Sequence, residues 1–217
     1  FSKNKYETSV EVYYKDMQNQ IDYKPGTNVI LNPTVESELL FGHGWSYGAE
    51  FLIRKRKGSF TGWIGYTLAR TERQFDDVDN GVVYPSRYDR THDISVVASY
   101  TISERLTVAA TWVYNTGNAV TFPSGKYEFG GETINFYTER NGYRMPAYHR
   151  GDLSLTLDGK KREKFNSSWN LSIYNVYNRM NAYSISFRDS ETAPGTTEAV
   201  PLSLFGIIPA ITWNFKF

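Results

Sequence analysis

The sequence predicts an all-β fold: a transmembrane antiparallel up-and-down β-barrel to which this chain contributes eight strands. Three observations predict it. Apolar and polar residues alternate with a period of two along most of the chain. Short turns and long loops follow one another in strict succession between the alternating segments. Aromatic residues, 16% of the sequence, gather towards the ends of the apolar faces.

The strands read in order as follows. YETSVEVYYKD sets Tyr6, Thr8, Val10, Val12 and Tyr14 against Glu7, Ser9, Glu11 and Lys15. GWSYGAEFLIRK sets Trp45, Tyr47, Ala49, Phe51 and Ile53 against Ser46, Gly48, Glu50 and Arg54. FTGWIGYTLAR carries Ile64, Tyr66 and Leu68 on one side, with Trp63, Gly65, Thr67 and Ala69 on the other. HDISVVASYTI opposes Ile94, Val96, Ala98, Tyr100 and Ile102 to Asp93, Ser95, Ser99 and Thr101. LTVAATWVYN contributes Leu106, Val108, Ala110, Trp112 and Tyr114, and DLSLTLD contributes Leu153, Leu155 and Leu157. The seventh strand, over about 167–187, starts at WNLSIYNVYN with Trp169, Leu171 and Ile173 and runs on through NAYSISF. The eighth starts near Leu202 and closes on PAITWNFKF, where Ile211, Trp213, Phe215 and Phe217 alternate with Thr212, Asn214 and Lys216. No segment has a helical period.

The connections divide into two kinds. RKRKG (54–58), ISER (102–105) and DGKKREKFN (158–166) are short, whereas 17–43, 72–91, 116–147 and 188–200 are long. They alternate without exception, which places turns on one side of a slab and elaborated loops on the other. A soluble sandwich has no reason to sort its loops by side. Nor does it run strands of about 12 to 18 residues where 5–6 is usual.

Composition narrows the function classes. A net charge of +1 leaves no basic excess for a nucleic-acid partner. No apolar run reaches 18 residues, so no transmembrane helix is expected, and mean hydropathy is −0.50. Cysteine is absent, which removes disulfides and thiolate metal sites. FSKNKYETS lacks the apolar core of a leader peptide.

Tyr6 with Tyr14, Trp45 with Tyr47, and Trp112 with Tyr114 form the aromatic girdle of a lipid-facing band. The opposite faces hold Glu, Lys, Arg, Ser, Thr and Gly, which suits a wet lumen. Backbone groups in lipid must all be paired, so such strands belong to a closed barrel.

Five ordered blocks carry a resemblance to a known family. They are GWSYGAEFLIRKRKGSFTGWIGYTLARTERQFDD (44–77), YPSRYDRTHDISVVASYTI (84–102), TWVYNTGNAVTFP (111–123), NGYRMPAYHRGDLSLTL (141–157) and WNLSIYNVYNRMNAYSI (169–185). With the aromatic C-terminus, they make the chain resemble the C-terminal third of a TonB-dependent outer-membrane receptor. The resemblance implies eight strands of a 22-stranded barrel, with the plug domain and TonB box outside this chain, so a longer receptor is expected. It implies import of a siderophore, cobalamin, glycan or peptide, driven by TonB–ExbB–ExbD. It further implies long loops outside the cell, a periplasmic C-terminus, and a surface lipoprotein as a further partner. Ile211, Trp213, Phe215 and Phe217 look like the insertion signal read by the barrel-assembly machinery.

Candidate ligand contacts are Arg87, Asp89 and Asp93 in SRYDRTHD, and Arg150 and Asp152 in YHRGD, all on luminal parity. The competing reading is a network of ion pairs that stiffens the wall. His43, His92 and His149 are the only histidines, and His92 and His149 share the lipid-side parity. No G-x-S-x-G, H-E-x-x-H or paired-carboxylate motif accompanies them, so neither catalysis nor a metal or other cofactor is expected. Three alternatives remain open: a self-contained eight-stranded anchor or adhesion barrel, an outer-membrane hydrolase, and a client of the barrel-assembly machinery. In the anchor barrel, the first strand would pair with the last. The loops at 115–146 and 187–201, rich in Gly, Asn, Thr and Tyr, suit adaptable recognition without naming a ligand.

Overall fold

The fold was obtained as a computed structural model that describes residues 2–3, 5–24, 27, 32–130, 132–160, 165–190, 192 and 196–217. Eight long strands form one antiparallel meander: β1 (Tyr6–Tyr23), β2 (Leu39–Lys55), β3 (Phe60–Gln74), β4 (His92–Thr101), β5 (Leu106–Asn115), β6 (Tyr148–Asp158), β7 (Asn166–Tyr174) and β8 (Ile208–Lys216). Each pairs with its neighbour in sequence, in the order β1 to β8. The pairing is continuous: Val12 faces Ala49, Ala49 faces Leu68, and Leu155 lies between Val108 and Leu171. The up-and-down all-β architecture read from the alternation is therefore present, with long connections at one end and short turns at the other.

The strands are less uniform than the sequence suggested. β1 and β2 run for 18 and 17 residues, while β4 to β8 run for 9 to 11. β1 continues past its expected end because a bulge between Met17 and Gln20, with Asn19 at φ 53°, restores its pairing with β2.

The region after β7 differs further. β7 stops at Tyr174, and NAYSISF does not prolong it. Ala182–Asp189 pairs instead with Thr197–Ser203 in a separate hairpin, so β8 begins at Ile208 and not at Leu202. Asn175 and Asn178, at φ 55° and 52°, turn the chain away from the ladder. Asn175 also receives the Arg179 N–H on its own side-chain oxygen at 3.1 Å, which closes the turn.

The two sheet faces differ as the alternation requires. Val12 (80%), Ile211 (65%) and Ile53 (55%) are exposed on one face, together with Ile64, Leu153, Leu171 and Trp213. Among the described residues no second layer covers them. Among the described residues the only buried apolar cluster is Leu40, Phe75, Val78 and Tyr84, at the long-loop end. A soluble two-layer fold would bury this face against a partner sheet.

The sheet does not close on itself. Among the described residues, β1 pairs with β2 and with Ser2–Lys3, whereas β8 pairs with β7 alone. The first strand never meets the last, so the pairing that defines a self-contained eight-stranded barrel is not formed.

Candidate binding site

The long loops converge over the ends of the strands through a small set of polar contacts. Asp22, at the end of β1, accepts from Arg140 Nη2 at 2.6 Å and from the Tyr84 hydroxyl at 3.2 Å. The Arg140 backbone N–H donates to Asp79 at 2.6 Å. Asn141 donates through its backbone N–H to Thr121 Oγ1 and through its side chain to the Pro85 carbonyl. Three connections distant in sequence are thereby fixed together. Burial, followed by the nearby Asp22 charge, pushes the Tyr84 phenol well above its ordinary pKa, so it remains a donor.

Asp89 secures the base of this arrangement. It is 1% exposed, accepts the Thr71 N–H at 2.6 Å, and pairs with Arg144 and, at 3.6 Å, with Arg70. Arg144 also donates to the Asp89 carbonyl at 2.8 Å. At Gly117 a methyl group would collide with the Met145 carbonyl, so only glycine lets the two ends of the 116–147 connection pass this closely.

Beneath these contacts lie two adjoining cavities of about 570 and 510 Å³ that share Asn118, Met145 and Tyr183. The larger is lined by Arg73, Arg87 and Arg140, with Asp22 as the single acid and with Tyr88 and Phe122 beside them. Arg90, Tyr148, Tyr174 and Phe205 border the smaller. Their volumes are in the range of small-molecule sites. Asp22 is already engaged by Arg140. Arg73 keeps a buried Nε with no hydrogen-bond partner, and Arg87 is exposed, with no ion pair among the described residues. Arg87 is thus available to an acceptor oxygen, with Arg73 beside it in the lining, and planar guanidinium forks match carboxylate, sulfate or phosphate.

The residues singled out in the sequence divide between this site and the wall. Arg87 lines the cavity, whereas Asp89 is consumed by its ion pairs beside it. Arg150 and Asp152 pair with each other at 3.0 Å. Asp152 also accepts the Asn175 N–H at 2.8 Å, and Arg150 stands 4.1 Å from the Tyr174 ring centre. Asp93 lies lower on the polar face, in a groove it shares with Glu11, Glu50 and Thr67. His92 and His149 bond the hydroxyls of Tyr66 and Tyr177 at 2.9 and 3.0 Å. Among the described residues, neither ring is bonded to a Ser or an acid.

Asp22, Arg73, Tyr84 and Arg140 had no local signal in the sequence. They converge only because the meander stacks three separate loops, and Asp22 and Arg140 are 118 positions apart.

No family model, curated protein or solved structure matches this chain.

Proposed function

We propose that the chain is part of the barrel wall and outer loops of a TonB-dependent receptor in the bacterial outer membrane. It takes part in importing a scarce nutrient without altering it. The observation that carries this reading is the eight-stranded meander whose apolar face has no covering layer. A contiguous exposed surface of that extent, rimmed by aromatic residues, fits lipid and not water. The free edges of β1 and β8 fit further strands of the same barrel, since an open edge in lipid costs several kcal/mol per unpaired group by the usual estimate. The arginine-lined cavity at the long-loop end supplies the ligand-facing surface. In this reading β8 also presents Ile211, Trp213, Phe215 and Phe217 to the assembly machinery.

The reading is tested by topology in the cell that makes the protein. An epitope inserted in the hairpin Gly125–Phe136 is expected to bind antibody on intact cells. An epitope in the turn between β2 and β3 should bind only after permeabilisation. Uptake of the cognate nutrient should stop when TonB is deleted. Labelling of both epitopes on intact cells, or of neither before permeabilisation, contradicts the topology.

A further inference from the structure

The net charge of +1 conceals a strong separation of charge along the strands. The described residues at the short-turn end are 2–3, 5, 54–59, 102–105, 158–160, 165–166 and 216–217. They hold nine of the 24 Lys and Arg residues but two of the 23 Asp and Glu residues. The other described residues include twelve basic ones against nineteen acidic ones. Lys5, Lys57, Arg105, Lys160 and Lys216 are all exposed at this end. Among the described residues one strand acid pairs with cations at this end: Glu7 takes Arg56 at 2.5 Å and Arg54 at 3.8 Å. Arg105 donates to the Asp158 backbone carbonyl at 2.7 Å, a contact that leaves its charge available.

The cations border the apolar face directly. Lys55 follows Ile53 on that face, and its ammonium stands 5.3 Å from the Phe60 ring centre. Tyr100, Trp169, Trp213 and Phe215 continue the aromatic margin along the neighbouring strands. An apolar band, an aromatic margin and then a row of exposed cations is the order of environments met on leaving a bilayer through an anionic headgroup layer.

We propose that this basic rim docks on the anionic phospholipid headgroups of the leaflet at the short-turn end and so fixes the depth of the wall. The proposal rests on the membrane reading above but specifies the lipid charge, which that reading leaves open. The exposed cations are spread along the strand ends, from Lys5 through Lys57, Arg105 and Lys160 to Lys216, a distribution that fits a headgroup layer better than a single acidic patch on a protein.

The test uses the whole chain, refolded in detergent and mixed with vesicles of phosphatidylcholine alone or with added phosphatidylglycerol. Flotation measures how much protein each takes up. The charged vesicles are expected to take up at least tenfold more at low salt, because each cation near such a surface counts for about 1 kcal/mol. The variant K57Q/K160Q/K216Q, changed only at exposed positions, should lose that preference, as should the unaltered chain at high salt. Equal uptake by both vesicles overturns the proposal while leaving the membrane reading intact. Equal uptake accompanied by capture on polyglutamate assigns the rim to an acidic macromolecule instead. Failure to float with either vesicle overturns both readings.

Discussion

Trp169 and Trp213 face each other across the ladder between β7 and β8, with ring centroids 5.8 Å apart and planes inclined by 22°. Both rings are nearly half exposed on the uncovered apolar face. Stacked aromatic pairs add about 0.5–1.5 kcal/mol beyond area burial. A double-mutant cycle on Trp169→Ala and Trp213→Ala, followed by urea unfolding in vesicles, is expected to return a coupling energy in that range. A coupling near zero would mean the rings do not meet across β7 and β8.

Leu153 and Ser154 are neighbours in β6 that point to opposite faces, and each is paired on both sides. Arginine at Leu153 should cost about 2–4 kcal/mol, the range for a cation placed at the bilayer midplane of a barrel. Arginine at Ser154 should cost under about 1 kcal/mol, since that face is polar. The same unfolding assay checks both, and equal costs would show that the faces do not differ in environment.

Asp89 holds Thr71, Arg70 and Arg144 together at the cavity base. Removing one partner of a buried ion pair costs roughly 3–5 kcal/mol. Arg70 and Arg144 retain 36% and 29% of their side-chain exposure, so water screens them after the loss. Asp89→Ala is therefore expected to cost about 2–3 kcal/mol, below the fully buried range. Hydrogen exchange should rise first around Tyr84–Asp89 and Tyr143–Arg144. Adding Arg144→Ala to the same chain should recover part of the loss.

Arg73 has the opposite character. Its buried Nε lacks a partner, so it is retained at a cost to stability. Arg73→Met is expected to leave stability unchanged or to raise it by about 0.5–1 kcal/mol, and to reduce uptake of the cognate ligand. Thermal unfolding and a transport assay separate the two effects. Marked destabilisation would place Arg73 in the structural framework.

The alternation that makes the strands legible in the sequence also explains where reading it fails. Strands β1 to β6 are recognisable because one face is apolar through the middle of each strand, so a shift of one residue would invert every side chain there. After β7 the same pattern continues through Tyr183, Ile185 and Phe187, although the backbone has already turned at Asn175 and Asn178. Periodicity reports that a segment is a strand, not which strand it pairs with. Of the individual residues singled out in the sequence, Arg87 alone lines the larger cavity, although the loop at 115–146 supplies Asn118, Phe122 and Arg140 to it. Arg73 sits on a regular strand, and Asp22 and Arg140 become neighbours through loops whose conformations depend on one another. Asp89 stood out as a charged residue near a strand end, but its burial depends on Arg144, 55 positions away.

The most direct test of a lipid-facing wall compares two tryptophans on opposite faces. Trp112 lies on the apolar face, opposite Val96 on β4 and Gly151 on β6. Trp63 lies on the polar face, opposite Arg54 on β2. Two single-tryptophan chains, one retaining Trp112 and the other Trp63, would be reconstituted in vesicles with brominated phospholipid tails. The account predicts strong quenching of Trp112 fluorescence and little change for Trp63. Equal quenching of the two, or none for Trp112, would contradict it.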